Sequence, residues 1–209
     1  LFCDDDISPS NQWAKELCRG LIQTGADAIT GRTVTTGQAQ EPTCAKTGRF
    51  TALGGVTGGY SSTIPQYIDS VLGCNCGFRM DIFRQVGLFD EQFTGNALRE
   101  ESDMSRRIQA IGGTIAFWPA AEVIHLRAKQ GGARKTEGRL FWYFHFFSNE
   151  TYFFLKHFPH LLFPLFLVSK TEWILRCAFG FGREVSIASL LTPLRGILDG
   201  KRKYNRMSV

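Results

Sequence analysis

Along the chain, apolar residues fall alternately in short continuous runs and at helical spacing, an order that predicts strands and helices in turn. Leu1-Phe2-Cys3 runs straight into Asp4-Asp5-Asp6 and the turn pair Ser8-Pro9, which reads as a buried strand ending in an acidic loop. Trp13, Leu17, Leu21 and Ile22 then recur at helical spacing, with Ser10 as N-cap and Gly25 as stop, before a short strand over Ala26 to Thr30. Strand, loop, helix, strand is the order of an α/β fold with a partly parallel sheet. Residues 31 to 66 are rich in Gly, Thr, Ser and Gln and read as a long surface loop, either an acceptor-side segment or a plain insertion.

Val71 to Phe78 predicts a strand, and Asp81 to Val86 a short helix stopped by Gly87. Met104, Ile108 and Ile111 line one face of a further helix that Gly112-Gly113 ends. Thr114 to Trp118 and Glu122 to Leu126 read as two extended segments separated by Pro119. From Arg134 onward the pattern is helical and aromatic, with segments at Ile174 to Gly182, broken by Arg176, and at Ile187 to Leu198, broken by Pro193 and Arg195. The longest uncharged run there, Phe158 to Val168, has 11 residues and two prolines, which suits an interfacial or re-entrant element rather than a spanning helix.

Charge sharpens this division. The net charge of +5 conceals 10 basic against 14 acidic residues over positions 1 to 126, and 14 against 5 over positions 127 to 209. The second part also holds 11 of the 18 phenylalanines, all between Phe141 and Phe181. Basic charge mixed with Phe and Leu points to an anionic membrane surface rather than to nucleic acid, the other reading being a helical subdomain with an aromatic core. The tail Lys201-Arg202-Lys203 with Arg206 would add roughly 1 kcal/mol per basic residue at an anionic leaflet. Six cysteines without a CxxC pair or zinc spacing fit ordinary thiols in a reducing compartment, and Cys74 and Cys76 point to opposite faces of an extended segment. The start at Leu1, inside a strand pattern, predicts that further chain precedes it.

Three acidic or basic features carry candidate chemistry. Asp4-Asp5-Asp6 is either a solvated turn or a loop whose mutual repulsion is relieved by Mg²⁺ or Mn²⁺. Glu100-Glu101-Ser102-Asp103 opens a helix, where the dipole alone favours carboxylates, or where one of them serves as a general base kept ionised at neutral pH. His125, between Val123-Ile124 and Leu126, is either structural or a third ligand to a cation already held by carboxylates.

Taken in order, Phe2-Cys3-Asp4-Asp5-Asp6-Ile7, Gly73-Cys74-Asn75-Cys76-Gly77-Phe78-Arg79, Val86-Gly87-Leu88-Phe89-Asp90-Glu91, Glu100 to Arg107, and Trp118-Pro119 with Val123-Ile124-His125 form a set. Over about residues 1 to 127 this set resembles the C-terminal half of a family 2 glycosyltransferase of the GT-A type. The resemblance implies a mixed, mostly parallel sheet flanked by helices over residues 1–133, followed by an α-helical, aromatic-rich, membrane-associated segment over residues 134–209. It implies a DxD pair, Asp4 and Asp6, holding Mg²⁺ or Mn²⁺ on the diphosphate of a nucleotide-sugar, with Asp5 facing the donor and His125 completing the metal site. It places the catalytic base at Glu101 or Asp103, Arg106 and Arg107 near the donor phosphates, and Glu100, Cys74 and Asn75 on the acceptor side.

The implied activity is inverting transfer of a sugar to a hydroxyl of a glycan or lipid-linked acceptor at the cytoplasmic face of the cell membrane. The nucleotide-binding half would precede Leu1, so the chain alone is expected to show no transfer. A metal-dependent nucleotidyl- or phosphotransferase, or a non-catalytic membrane-binding module, are the alternatives. The absence of a Gly-rich phosphate loop with Lys weighs against the first, and the absence of EF-hand ligand spacing against a specific Ca²⁺ site in the second.

Overall fold

The computed structural model describes residues 1–126, 138–179 and 186–207. The chain forms two compact units, one of Leu1–Thr51, Gly55–Phe89 and Glu101–Lys129, the other of Ala52–Gly54, Asp90–Glu100 and Gln130–Val209.

The first unit is built on a six-stranded sheet: β1 (Phe2–Cys3), β2 (Ile7–Pro9), β3 (Ala28–Thr35), β4 (Gln66–Ile68), β5 (Asn75–Phe78) and β6 (Ile115–His125). Their order is β1-β5-β3-β6-β2, with β4 also paired to β6. Among the described residues only β3 and β6 run parallel, and every other pairing is antiparallel. The expectation of a mostly parallel sheet is therefore corrected to a mixed sheet. A parallel neighbour needs a crossover of a dozen or more residues, and the excursion between β3 and β6 is one.

Helices α1 (Trp13–Thr24), α2 (Met80–Val86) and α3 (Glu100–Ala110) accompany the sheet. Alternation along the strands sends Ala28, Ile115 and Phe117 to one face, with Met104 and Ile108 of α3, and Ile29 and Ala116 to the other, with Leu17 of α1. Ile111, expected beside Met104 and Ile108, is instead exposed beyond the last turn of α3. Gly25 ends α1 in the left-handed region at φ 67°, its N–H bonded to Leu21 O at 3.1 Å. The expected cap Ser10 offers only its carbonyl, to Trp13 N at 3.0 Å, and the cap position itself is Gln12.

Pro119 does not divide two strands as expected. Strand β6 continues through it, because the ladder with β3 shifts register between Gly31↔Trp118 and Thr33↔Val123, so the missing N–H falls in a bulge. The region expected as a loop over 31–66 is also more ordered: β3 runs on to Thr35, Thr33 N bonds Tyr60 O at 2.8 Å, and Phe50 bridges Val56.

The second unit contains α4 (Gly138–His157), a 3₁₀ turn (His160–Leu162), α5 (Phe163–Ser169), α6 (Thr171–Phe179) and α7 (Ile187–Met207). The expected helical start at Arg134 and segment end at Gly182 lie outside the described residues. Phe146, Phe147 and Cys177 pack with Trp142 and Trp173, and Phe154 stacks on Phe166 at 4.5 Å. Pro193 lies inside α7 without ending it, and the carbonyl of Ser189, four residues back, accepts from Cys177 Sγ at 3.5 Å. Gly196 and Gly200 of α7 lie directly on the backbone of α4.

A buried ion cluster joins Glu150 of α4 to Arg99 at 2.8 Å and Lys170 at 2.7 Å. Arg99 and Ala97 hold positive φ values of 80° and 49°. Asp90 accepts from Tyr152 Oη at 2.7 Å and Lys156 Nζ at 2.6 Å. Burial alone would raise the Asp90 carboxyl, but these hydrogen bonds hold it below the usual range. No helix among the described residues is long and apolar enough to cross a membrane.

Candidate metal and acid–base site

The three aspartates cross the end of the sheet from one flank to the other. On one flank β1 pairs antiparallel with β5 at Phe2↔Cys76 and Cys3↔Asn75, so Asp4 leaves the sheet beside Cys74. On the other flank β2 pairs with β6 at Ile7↔His125, and Leu126 N donates to Asp6 O at 2.9 Å, which sets Asp6 next to His125. The acidic segment thus spans the end of the sheet at which β3 and β6 finish, with Thr35 opposite His125. Clefts outside strand carboxyl ends are where open α/β sheets bind ligands.

Asp6 Oδ1 lies 3.0 Å from His125 Nε2, and Asp4 Oδ2 lies 3.8 Å from the same nitrogen. One ligand atom from each of the three residues falls within 4.8 Å of the others. Side-chain exposure rises from 16% at His125 through 24% at Asp6 to 51% at Asp4, so the group is anchored on one side and open to solvent on the other. Two carboxylates and an imidazole are a donor set for a divalent cation, and three protein ligands leave positions for substrate oxygens. Asp5, between them, is exposed.

Glu101 is the second residue of α3 and half-buried. Its carboxyl carbon stands 3.7 Å from where a Cβ on Gly73 would lie, so the side chain lies against Gly73. The Cys74 thiol next in sequence is pushed up to about 12 by burial first, then by the Asp4 carboxylate, with Glu101 adding in the same direction and a contact to Thr33 opposing. Cys74 therefore stays a neutral thiol in the field of both acidic groups. The Cys76 thiol is raised too, by burial and then by Glu101.

The remaining expected residues are occupied elsewhere. Asp103 is fully buried and paired with Arg107 Nε at 2.8 Å, and Arg107 Nη1 in turn donates to Val86 O at 2.6 Å and Gly87 O at 3.3 Å. These two residues latch α3 to the end of α2. Arg106 lies over the Phe50 ring at 5.5 Å and 3.5 Å from Gln109 Oε1. Glu100 is half-buried and opens α3, its N–H bonded to Ala97 O at 3.1 Å.

Asn75, expected on the acceptor side, is completely buried. Its Oδ1 accepts from Trp13 Nε1 at 2.7 Å, and its Nδ2 donates to Arg32 O at 3.0 Å and Ala121 O at 3.1 Å. It joins β5, β3, β6 and the start of α1, shut off from solvent. Gly73, which opens the Gly73 to Arg79 motif, is the neighbour of Glu101 that no periodicity in the sequence reports.

No protein-family model and no curated protein matches the chain. Among solved structures 37 chains match, one of them the crystal structure of GalNAc-T7 with UDP, GalNAc and Mn²⁺. It is 15% identical, with a TM-score of 0.49, over 74% of this chain and 33% of that one. The chain spans about a third of the length of that structure.

Proposed function

We propose that this chain carries the metal-holding and base-bearing part of a glycosyltransferase site. The observation that carries the reading is the convergence of Asp4, Asp6 and His125 ligand atoms within 4.8 Å of one another. Asp4, Asp6 and His125 would hold a divalent cation, and the imidazole in the set favours Mn²⁺ over Mg²⁺. When bound, the cation would neutralise charge on a departing nucleoside diphosphate.

Glu101 accepts the proton of an acceptor hydroxyl while that oxygen bonds to the anomeric carbon. The bond from that carbon to the diphosphate breaks, and the electron pair leaves with the phosphate oxygen. Attack from the face opposite the leaving group inverts the anomeric configuration. Glu101 suits the role better than Asp103, because its carboxylate is half-buried whereas that of Asp103 is sealed against Arg107. Cys74, uncharged between Asp4 and Glu101, adds no competing base.

Titration of the chain with Mn²⁺, followed by the electron paramagnetic resonance of the free ion, tests the metal assignment. Asp6→Asn and His125→Ala should each weaken binding at least about tenfold, on the scale seen when metal-site support is removed, while Glu101→Gln should bind as the parent does. In a nucleotide-sugar turnover assay on a protein containing this chain, Glu101→Gln should lose about 10²–10⁴-fold, the usual contribution of a general base. Unchanged Mn²⁺ binding in Asp6→Asn would remove the metal site.

A further inference from the structure

Helix α7 turns its small and polar side inward. Ser189, Thr192, Pro193, Gly196, Gly200 and Lys203 are buried, whereas Ile187, Leu190, Leu194 and Leu198 are 78%, 50%, 53% and 44% exposed. A helix packed in a globular unit ordinarily buries its leucine stripe. Here the approach to α4 forbids it: a Cβ at Gly196 would lie 2.6 Å from Phe144 O, and one at Gly200 2.4 Å from Ser148 O. The large side chains are thus directed outward at three- and four-residue spacing, forming one continuous apolar stripe.

The charges of α7 indicate what covers that stripe. Arg195, Lys201, Arg202 and Arg206 are exposed, while its one carboxylate, Asp199, accepts a 2.7 Å hydrogen bond from Ser148 Oγ and lies 3.6 Å from Lys203. Lys201 and Arg202 follow Leu198 by three and four residues, so they continue the stripe one turn further. A second copy packed parallel on this face by a two-fold axis would bring the same cations together. An anionic lipid surface meets both halves of the stripe, taking leucines at the acyl boundary and cations at the phosphates.

We propose that α7 lies in the plane of an anionic bilayer surface, with Ile187, Leu190, Leu194 and Leu198 entering the headgroup boundary and Lys201 and Arg202 against lipid phosphates. This goes beyond the sugar-transfer reading and stands without it. Co-sedimentation of the chain with vesicles of phosphatidylcholine, alone or mixed in equal parts with phosphatidylglycerol, tests it. The chain should pellet with the mixed vesicles, be released by salt, and partition far less onto phosphatidylcholine alone.

Leu190→Glu/Leu194→Glu should abolish pelleting, and Lys201→Ala/Arg202→Ala should lower the partition coefficient roughly 30-fold, about fivefold for each basic residue removed. Both variants change exposed positions and should keep the parent's melting temperature and Mn²⁺ binding, so that loss of the lipid contact is separable from loss of the metal site. Undiminished pelleting of Leu190→Glu/Leu194→Glu would overturn the proposal. So would a parent chain that ignores anionic vesicles, or a parent dimer in ultracentrifugation that Leu190→Glu/Leu194→Glu turns into a monomer, which would give the face to a second copy.

Discussion

Replacing Gly200 with alanine sets two opposed effects against each other. Alanine is the better helix former by about 0.8–1.0 kcal/mol in a helix interior, so on propensity alone Gly200→Ala should stabilise α7. The added methyl, however, would lie 2.4 Å from Ser148 O, 2.7 Å from Thr151 Cβ and 3.0 Å from Tyr152 N. These are backbone atoms and a Cβ, which no rotamer change can move. Relief from 2.4 Å to an ordinary 3.4 Å contact requires α4 and α7 to part by about 1 Å. That opens the seam beside Phe147 and Tyr152, both fully buried.

Overpacking of this kind costs about 1–3 kcal/mol, occasionally more, so after the propensity gain a net loss of up to about 2 kcal/mol remains. The assay is urea unfolding followed by far-ultraviolet circular dichroism. At a slope of about 2 kcal/mol per molar urea, the midpoint should fall, by up to roughly 1 M. Asn205→Ala, at an exposed position of the same helix, gains propensity without a clash and should raise the midpoint slightly. A higher midpoint for Gly200→Ala than for the parent would refute the close-contact reasoning.

Two further outcomes follow from the buried ion pairs. Glu150→Gln leaves Arg99 and Lys170 facing each other without their shared anion, and should cost about 3–5 kcal/mol in the same urea assay. Burial alone would raise the Glu150 carboxyl, but Arg99 and Lys170 hold it below the ordinary 4.5. The unfolded chain therefore binds the extra proton in acid, so the contribution of Glu150 is present above about pH 4.5 and is lost as pH falls through the lower native value. Glu150→Gln should flatten that acid limb. Asp103→Asn should destabilise by a similar several kcal/mol, because it removes the buried carboxylate paired with Arg107, whereas Glu101→Gln should destabilise less. Thermal melts of the two variants compare them directly, and equal melts would contradict the assignment of Asp103 to structure and of Glu101 to the proposed reaction.

What the sequence made legible was local. Gly25 and Gly87 ended helices where glycine was expected to, and Met104 and Ile108 faced inward at helical spacing. Asp4, Asp6 and His125 stood out as a set, but the pairing that brings Asp6 to His125, Ile7 against His125, joins residues too far apart for any periodicity to report. Strand direction was misread because alternation carries no sign of parallel or antiparallel pairing. Pro119 was misread because the bulge that accommodates it depends on the partner strand β3. Asn75 was given an outward role by its motif, whereas the carbonyls of Arg32 and Ala121 and the indole of Trp13 draw it inward, and all three lie far from it in sequence. The inward side of α7 was hidden for a related reason: leucines mark a buried stripe only where the neighbouring helix leaves room for them.

The three-residue acidic crossing has a consequence for how the chain's first residues are held. Strand β1 and strand β2 grip opposite flanks of the sheet through a handful of backbone bonds, and β2 has only three residues. A slip of β2 by one residue against β6 would turn Asp6 to the other face of the sheet and carry it away from His125. Any ion bound by Asp4, Asp6 and His125 together recognises only the correct alignment. By mass action it would fasten that alignment, by about 2.7 kcal/mol at a hundredfold excess over its dissociation constant. The ligand set would then act as a clasp on strand register.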